Sequence, residues 1–128
     1  MRIEHIAIWV KDLELMKGFY ETYFDAKAGE KYYNLSKDFT SYFLSFDEGS
    51  RLELMHRSDI EALKQESLVF LGFTHIAISV GSKEKVDLLT ARLRKDEYSI
   101  VGEPRTTGDG YYESVVLDPD GNRIEITV

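Results

Sequence analysis

The chain contains no cysteine, which removes disulfide frameworks, thiolate zinc sites and cysteine nucleophiles at once. Any metal it binds must be held by nitrogen and oxygen. No apolar run approaches the roughly 18 residues of a membrane span. The opening Met1-Arg2-Ile3-Glu4-His5 lacks the basic-then-apolar layout of a secretory signal, so a cytoplasmic protein with no membrane partner is expected. Basic runs are equally scarce. Arg92-Leu93-Arg94-Lys95, the longest, ends an expected helix, where cations complement the helix dipole. With a net charge of −7, nothing remains to track a phosphate backbone, and no nucleic-acid partner is expected.

What is present suits one soluble domain: 128 residues, 43% apolar and 30% charged, enough to bury a core without staples. Within that length the sequence repeats itself. Ile3-Glu4-His5-Ile6-Ala7-Ile8 returns as Phe73-Thr74-His75-Ile76-Ala77-Ile78, and Gly49-Ser50-Arg51-Leu52-Glu53-Leu54 returns as Gly121-Asn122-Arg123-Ile124-Glu125-Ile126. Two histidines and two glutamates are singled out by this duplication.

Periodicity places these segments on strands. Residues 3 to 10 alternate and are β-branched, and Asp12 can cap a helix over 13 to 24 with an apolar stripe of Leu13, Met16, Tyr20 and Tyr23. Tyr32-Tyr33, Tyr42-Phe43-Leu44 and Leu52-Glu53-Leu54 mark three further short strands, the last two joined by a turn at Asp47-Glu48-Gly49-Ser50. The order then recurs: strand 73–80, helix 82–95, and strands near 98–105, 111–117 and 122–128. Gly108-Asp109-Gly110 and Asp118-Pro119-Asp120-Gly121-Asn122 supply the hairpin turns. Each half is therefore expected to be βαβββ: module 1 over about residues 1–57, a polar linker over 58–71 with a helical turn near Ser58 to Gln65, and module 2 over 72–128.

Strand parity sorts the repeated residues. Ile6, Ile8 and Val10 share one face of the first strand, while His5, Ala7 and Trp9 share the other; Ile76, Ile78 and Val80 oppose His75, Ala77 and Ser79. Glu53 and Glu125 likewise fall opposite Leu52, Leu54, Ile124 and Ile126. A helix should cover the aliphatic face. Small Ala7, Ala77 and Ser79 beside the histidines leave room on the other. A lone strand histidine usually makes an ordinary hydrogen bond, and an alternating glutamate usually marks the wet side of a sheet. His56, which has no echo, keeps that structural reading. Repetition can preserve structural residues too, but two imidazoles and two carboxylates of one parity suit a divalent first-row metal.

At these residues the chain resembles the vicinal oxygen chelate (VOC) superfamily, in particular its metal-dependent glyoxalase I-like, or lactoylglutathione lyase-like, branch. The resemblance spans essentially the whole chain, from the His-Ile-Ala-Ile strand and Phe19-Tyr20 to the terminal Asp118-Pro119-Asp120-Gly121-Asn122-Arg123-Ile124-Glu125. It implies an α+β fold, the glyoxalase/bleomycin resistance/dihydroxybiphenyl dioxygenase fold, in which two βαβββ modules form a curved mixed sheet around a metal-binding cavity. It assigns His5, Glu53, His75 and Glu125 as metal ligands, with nickel or cobalt favoured and zinc, iron or manganese compatible. The implied reaction is proton abstraction next to a carbonyl through a metal-chelated enediolate, with Glu125 as base and Glu53 as ligand or second proton carrier, two roles that near-symmetry leaves exchangeable. A homodimer acting on a small-molecule substrate is the implied assembly.

The chain departs from this pattern where glutathione binds. The family's glutathione-binding Arg, four residues after the first ligand, is Trp9 here, and its assisting Asn, four after the second, is Arg57. Trp9 can wall the substrate site or pack at the sheet end. Arg57 can bind a substrate carboxylate or phosphate, or remain solvated. Two other readings stay open: a non-catalytic, bleomycin-resistance-like binding protein, and another enzyme on the same platform, such as a dioxygenase or an epimerase, the latter typically having Gln where Glu53 stands.

Overall fold

In the computed structural model, which describes residues 1–61, 72–108 and 110–128, strand alternation decides which side chains meet the helices. The chain divides into two compact units, Met1–Phe70 and Leu71–Val128. In the first, strand β1 (His5–Trp9) leads into helix α1 (Leu13–Phe24), followed by β2 (Lys27–Ala28), β3 (Tyr32–Asn34), a 3-10 turn (Leu35–Lys37), β4 (Phe39–Ser45) and β5 (Arg51–His56). The sheet runs β1-β5-β4-β2, with β3 also on β4. β1 lies parallel to β5; the other pairs are antiparallel.

Asp12 starts α1 as expected, its carboxylate accepting from the Leu15 backbone N–H at 2.9 Å, and Asp25 ends it in the left-handed region. Leu13, Met16, Phe19, Tyr20 and Phe24 are buried on the helix. They meet the aliphatic face of the sheet, where Leu44, Leu52 and Leu54 are buried as well. Tyr23, expected in the stripe, is only half-buried, because Phe19 and Phe24 fill the contact on either side of Tyr20.

The second unit has the same plan: β6 (Ile76–Ser79), α2 (Lys83–Lys95), β7 (Ile100–Thr106), β8 (Tyr112–Leu117) and β9 (Arg123–Thr127), in sheet order β6-β9-β8-β7. Ser82 caps α2 by accepting from the Lys85 N–H at 3.3 Å. Val86, Thr90 and Leu93 of α2 are buried, as are Val116, Ile124 and Ile126 of the sheet beneath it. Thr90 donates to the Val86 carbonyl and lies 2.6 Å from the Ser114 hydroxyl, so this buried polar pair is satisfied.

The first unit differs from the expected βαβββ in one respect: four strands follow its helix. β2 and β3 lie on the same edge of β4, pairing Lys27 with Ser45 and Tyr32 with Ser41, and the Gly29 N–H donates to the Phe43 carbonyl between them at 2.9 Å. One strand of the motif is thus interrupted where exposed Gly29-Glu30-Lys31, of low strand propensity, leaves the ladder. The expected linker turn near Ser58 to Gln65 runs into residues 62–71, and the middle of Gly108-Asp109-Gly110 is residue 109; both lie outside the described residues.

The Asp118 turn is built around a nearly buried carboxylate. It accepts from the Asp120 and Asn122 backbone N–H groups at 3.0 and 2.9 Å and from the Asn122 side-chain amide at 2.9 Å. Gly121 takes a positive φ of 86°, which glycine adopts without strain. Asp118→Ala orphans these donors and is expected to cost about 2 to 3 kcal/mol, measured by urea unfolding. Burial raises the Asp118 carboxyl above its ordinary value despite the opposing hydrogen bonds. The native state therefore holds that proton more tightly than the unfolded chain, and this contribution to stability declines as pH rises through the raised value.

Candidate functional site

Strand register brings the repeated residues together two by two. In the first unit the parallel ladder sets His5 opposite Arg51, Ala7 opposite Glu53 and Trp9 opposite Met55, and β4 adds Phe43 opposite Glu53. These side chains share the sheet face opposite to the one carrying Leu52 and Leu54, which is buried against α1. His5 Nε2 stands 3.9 Å from Glu53 Oε2. In the second unit Ala77 lies opposite Glu125, and His75, one residue before β6, places Nε2 3.4 Å from Glu125 Oε2. Both glutamates are largely covered, with side chains 14% and 19% exposed, while the histidines are 40% and 43% exposed.

These separations are too long for good hydrogen bonds. Two donors each about 2.1 Å from one ion and at right angles would lie about 3 Å apart, somewhat closer than either pair stands here. The pure nitrogen and oxygen donor set, the alanine opposite each carboxylate and the covered glutamates all suit a divalent ion. His5 and Glu53 belong to the first unit and His75 and Glu125 to the second, and among the described residues no group of three or more candidate ligands is already gathered.

Trp9 and Arg57 lie toward the other end of the first unit's face. The Trp9 ring, 47% exposed, meets Phe39 edge-on at 6.1 Å, and the Arg57 guanidinium sits 6.0 Å from the Trp9 ring centre. Arg57 already spends its fork on Asp59: Nε donates to Oδ1 at 2.9 Å and Nη2 donates to Oδ2. His56 takes the expected structural role, its Nδ1 donating to the Val10 carbonyl at 2.9 Å.

Three neighbours of His5 escaped the sequence reading: Glu4, Arg51 and Phe43. Glu4 Oε2 lies 2.5 Å from His5 Nδ1, and the Arg51 guanidinium lies over the Phe43 ring at 4.1 Å. The hydrogen bond from His5, then that from Arg51, holds the Glu4 carboxyl below its ordinary value. The available signal was a difference between the two copies of the repeat, since Thr74 occupies the place of Glu4.

Among the described residues no helix is long and apolar enough to cross a membrane. No curated protein matches the chain. Among solved structures, it is similar to the trypanothione-dependent glyoxalase I of Leishmania major, with 28% identity and a TM-score of 0.79, covering 99% of this chain and 86% of that one. Glyoxalase I from Zea mays matches with 23% identity and a TM-score of 0.79 over 98% of this chain, which spans only 44% of the maize protein. A glyoxalase family protein from Enterococcus faecalis matches with 21% identity and a TM-score of 0.80, covering 99% and 97% of the two chains. The latter two likenesses concern the fold. A family model matches residues 2–126, and with that coverage the chain belongs to the Glyoxalase/Bleomycin resistance protein/Dioxygenase superfamily, whose α+β fold it has.

Proposed function

We propose that the protein is a metal-dependent lyase or isomerase of the glyoxalase I type, with His5, Glu53, His75 and Glu125 as ligands to a divalent ion. The observation that carries this reading is the same imidazole–carboxylate pair, at 3.9 and 3.4 Å, opposite an alanine in each unit. A bound ion, with nickel or cobalt favoured and zinc, iron or manganese compatible, would supply Lewis acidity toward two adjacent substrate oxygens. The chain's own part is proton transfer. A covered glutamate, Glu125 first and Glu53 second, accepts a proton from the carbon beside a carbonyl and returns it to the neighbouring carbon. The same reading carries a cytoplasmic homodimer acting on a small-molecule substrate.

Trp9 and Arg57 are assigned to substrate contact, with unequal parts. Trp9 offers an exposed ring on the face that carries His5 and Glu53, whereas Arg57 is already paired with Asp59. Stacking, rather than charge pairing, is what this end of the face provides.

The test is anaerobic turnover of methylglyoxal with a panel of thiols, including glutathione and the trypanothione used by the Leishmania relative. Nickel- or cobalt-loaded protein should convert at least one hemithioacetal without dioxygen. Turnover only with dioxygen would point to dioxygenase chemistry, and binding without turnover would point to a sequestering protein.

A further inference from the structure

We infer that Glu4 is a positioning residue, which fixes the tautomer and ring orientation of His5 so that Nε2 is the free donor facing Glu53. The inference rests on the metal-binding reading above and adds to it an asymmetry between the two histidines.

The geometry is restrictive. An ionised carboxylate only accepts hydrogen bonds, so with Glu4 Oε2 at 2.5 Å the proton of a neutral His5 ring belongs on Nδ1, leaving the lone pair on Nε2. Nε2 is the atom that stands 3.9 Å from Glu53. Glu4 is itself held from several sides. Its Oε1 accepts from Arg51 Nε at 2.8 Å and from Nη2 at 2.5 Å, and its backbone carbonyl accepts from the Arg51 N–H at 3.1 Å. Ser50 Oγ donates to the Ile3 carbonyl just before it at 2.7 Å.

An exposed ion pair by itself contributes little. Here both partners of Glu4 also rest on one ring: the Arg51 guanidinium at 4.1 Å from the Phe43 centroid, and the His5 ring edge-on to it at 5.2 Å. Phe43 is thus a platform that limits how either group can turn. A carboxylate on the far nitrogen of an imidazole is the arrangement that orients metal-binding histidines and raises their basicity.

The second unit has neither part. Thr74 stands at the place of Glu4, and the residue paired with Glu125 is Val115, where Phe43 is paired with Glu53. Among the described residues, His5 therefore has an orienting carboxylate on its far nitrogen and His75 has none.

The experiment is long-range proton–nitrogen NMR on metal-free protein labelled with ¹⁵N, at a pH where the imidazole spectra show neutral rings. Wild-type His5 should be the Nδ1–H tautomer. Glu4→Ala should move it to Nε2–H, Glu4→Gln should keep Nδ1–H because the amide oxygen still accepts, and His75 should not change in either variant. Nickel affinity, read by competition with a chelator, should fall about 10- to 100-fold in Glu4→Ala. Wild-type His5 found as Nε2–H, or a tautomer indifferent to Glu4→Ala, overturns the inference; so does a tautomer shift with unchanged nickel affinity. Wild-type protein that shows the predicted tautomers yet binds no nickel supports the positioning role and refutes the metal reading, which keeps the two failures apart.

Discussion

Glu125→Gln is expected to lower kcat/KM for hemithioacetal conversion by about 10²- to 10⁴-fold, the usual contribution of a positioned general base. Glutamine keeps the size of the side chain and an oxygen that can face a cation, but it cannot take up a proton. The loss should appear in kcat, with little change in substrate binding, because the proton moves only in the transition state. Glu53 occupies the matching place in the first unit, also opposite an alanine and slightly more covered than Glu125. Measuring Glu53→Gln beside Glu125→Gln therefore assigns the base to the variant with the larger loss in kcat. A double Glu53→Gln/Glu125→Gln protein that retains wild-type turnover contradicts both roles.

His75→Ala is expected to abolish stoichiometric metal binding while leaving the fold intact. A direct ligand should matter more than an outer-shell partner, whose loss typically weakens binding about 10- to 100-fold. Stability should barely move. The His75 side chain is 43% exposed, lies just outside β6, and its Nε2 stands 3.4 Å from Glu125 Oε2. Surface substitutions of this kind usually stay within about 0.5 kcal/mol. The combination separates a ligand from a structural residue, since a packing histidine would lose stability and metal together.

Much of this architecture was legible in the chain. The Asp12 cap and the apolar spacing gave α1 its bounds, and the alternation at residues 3–10 and 51–55 put His5 and Glu53 on the face opposite the helix. What remained hidden depends on residues far apart in sequence. β2 is two residues long and exists only because Ser45 and Leu44 pair with it. The bond from Arg51 to Glu4 joins residues 47 positions apart, and only the parallel β1–β5 ladder brings them together. Arg57 could be read from the sequence as an anion contact or a solvated side chain; its pairing with Asp59, two residues away, forms only once the backbone turns after β5. The pattern of faces is local and can be read from alternation; the network around His5 is tertiary and cannot.

The most direct test of the central claim is the metal content of protein purified without chelator and then equilibrated with nickel or cobalt, measured on wild type and on His75→Ala by elemental analysis. Stoichiometric divalent metal in the wild type, lost in a His75→Ala protein of unchanged thermal stability, is the predicted result. A wild type that holds no stoichiometric metal after reconstitution, or a His75→Ala protein that holds as much as the wild type, would contradict it.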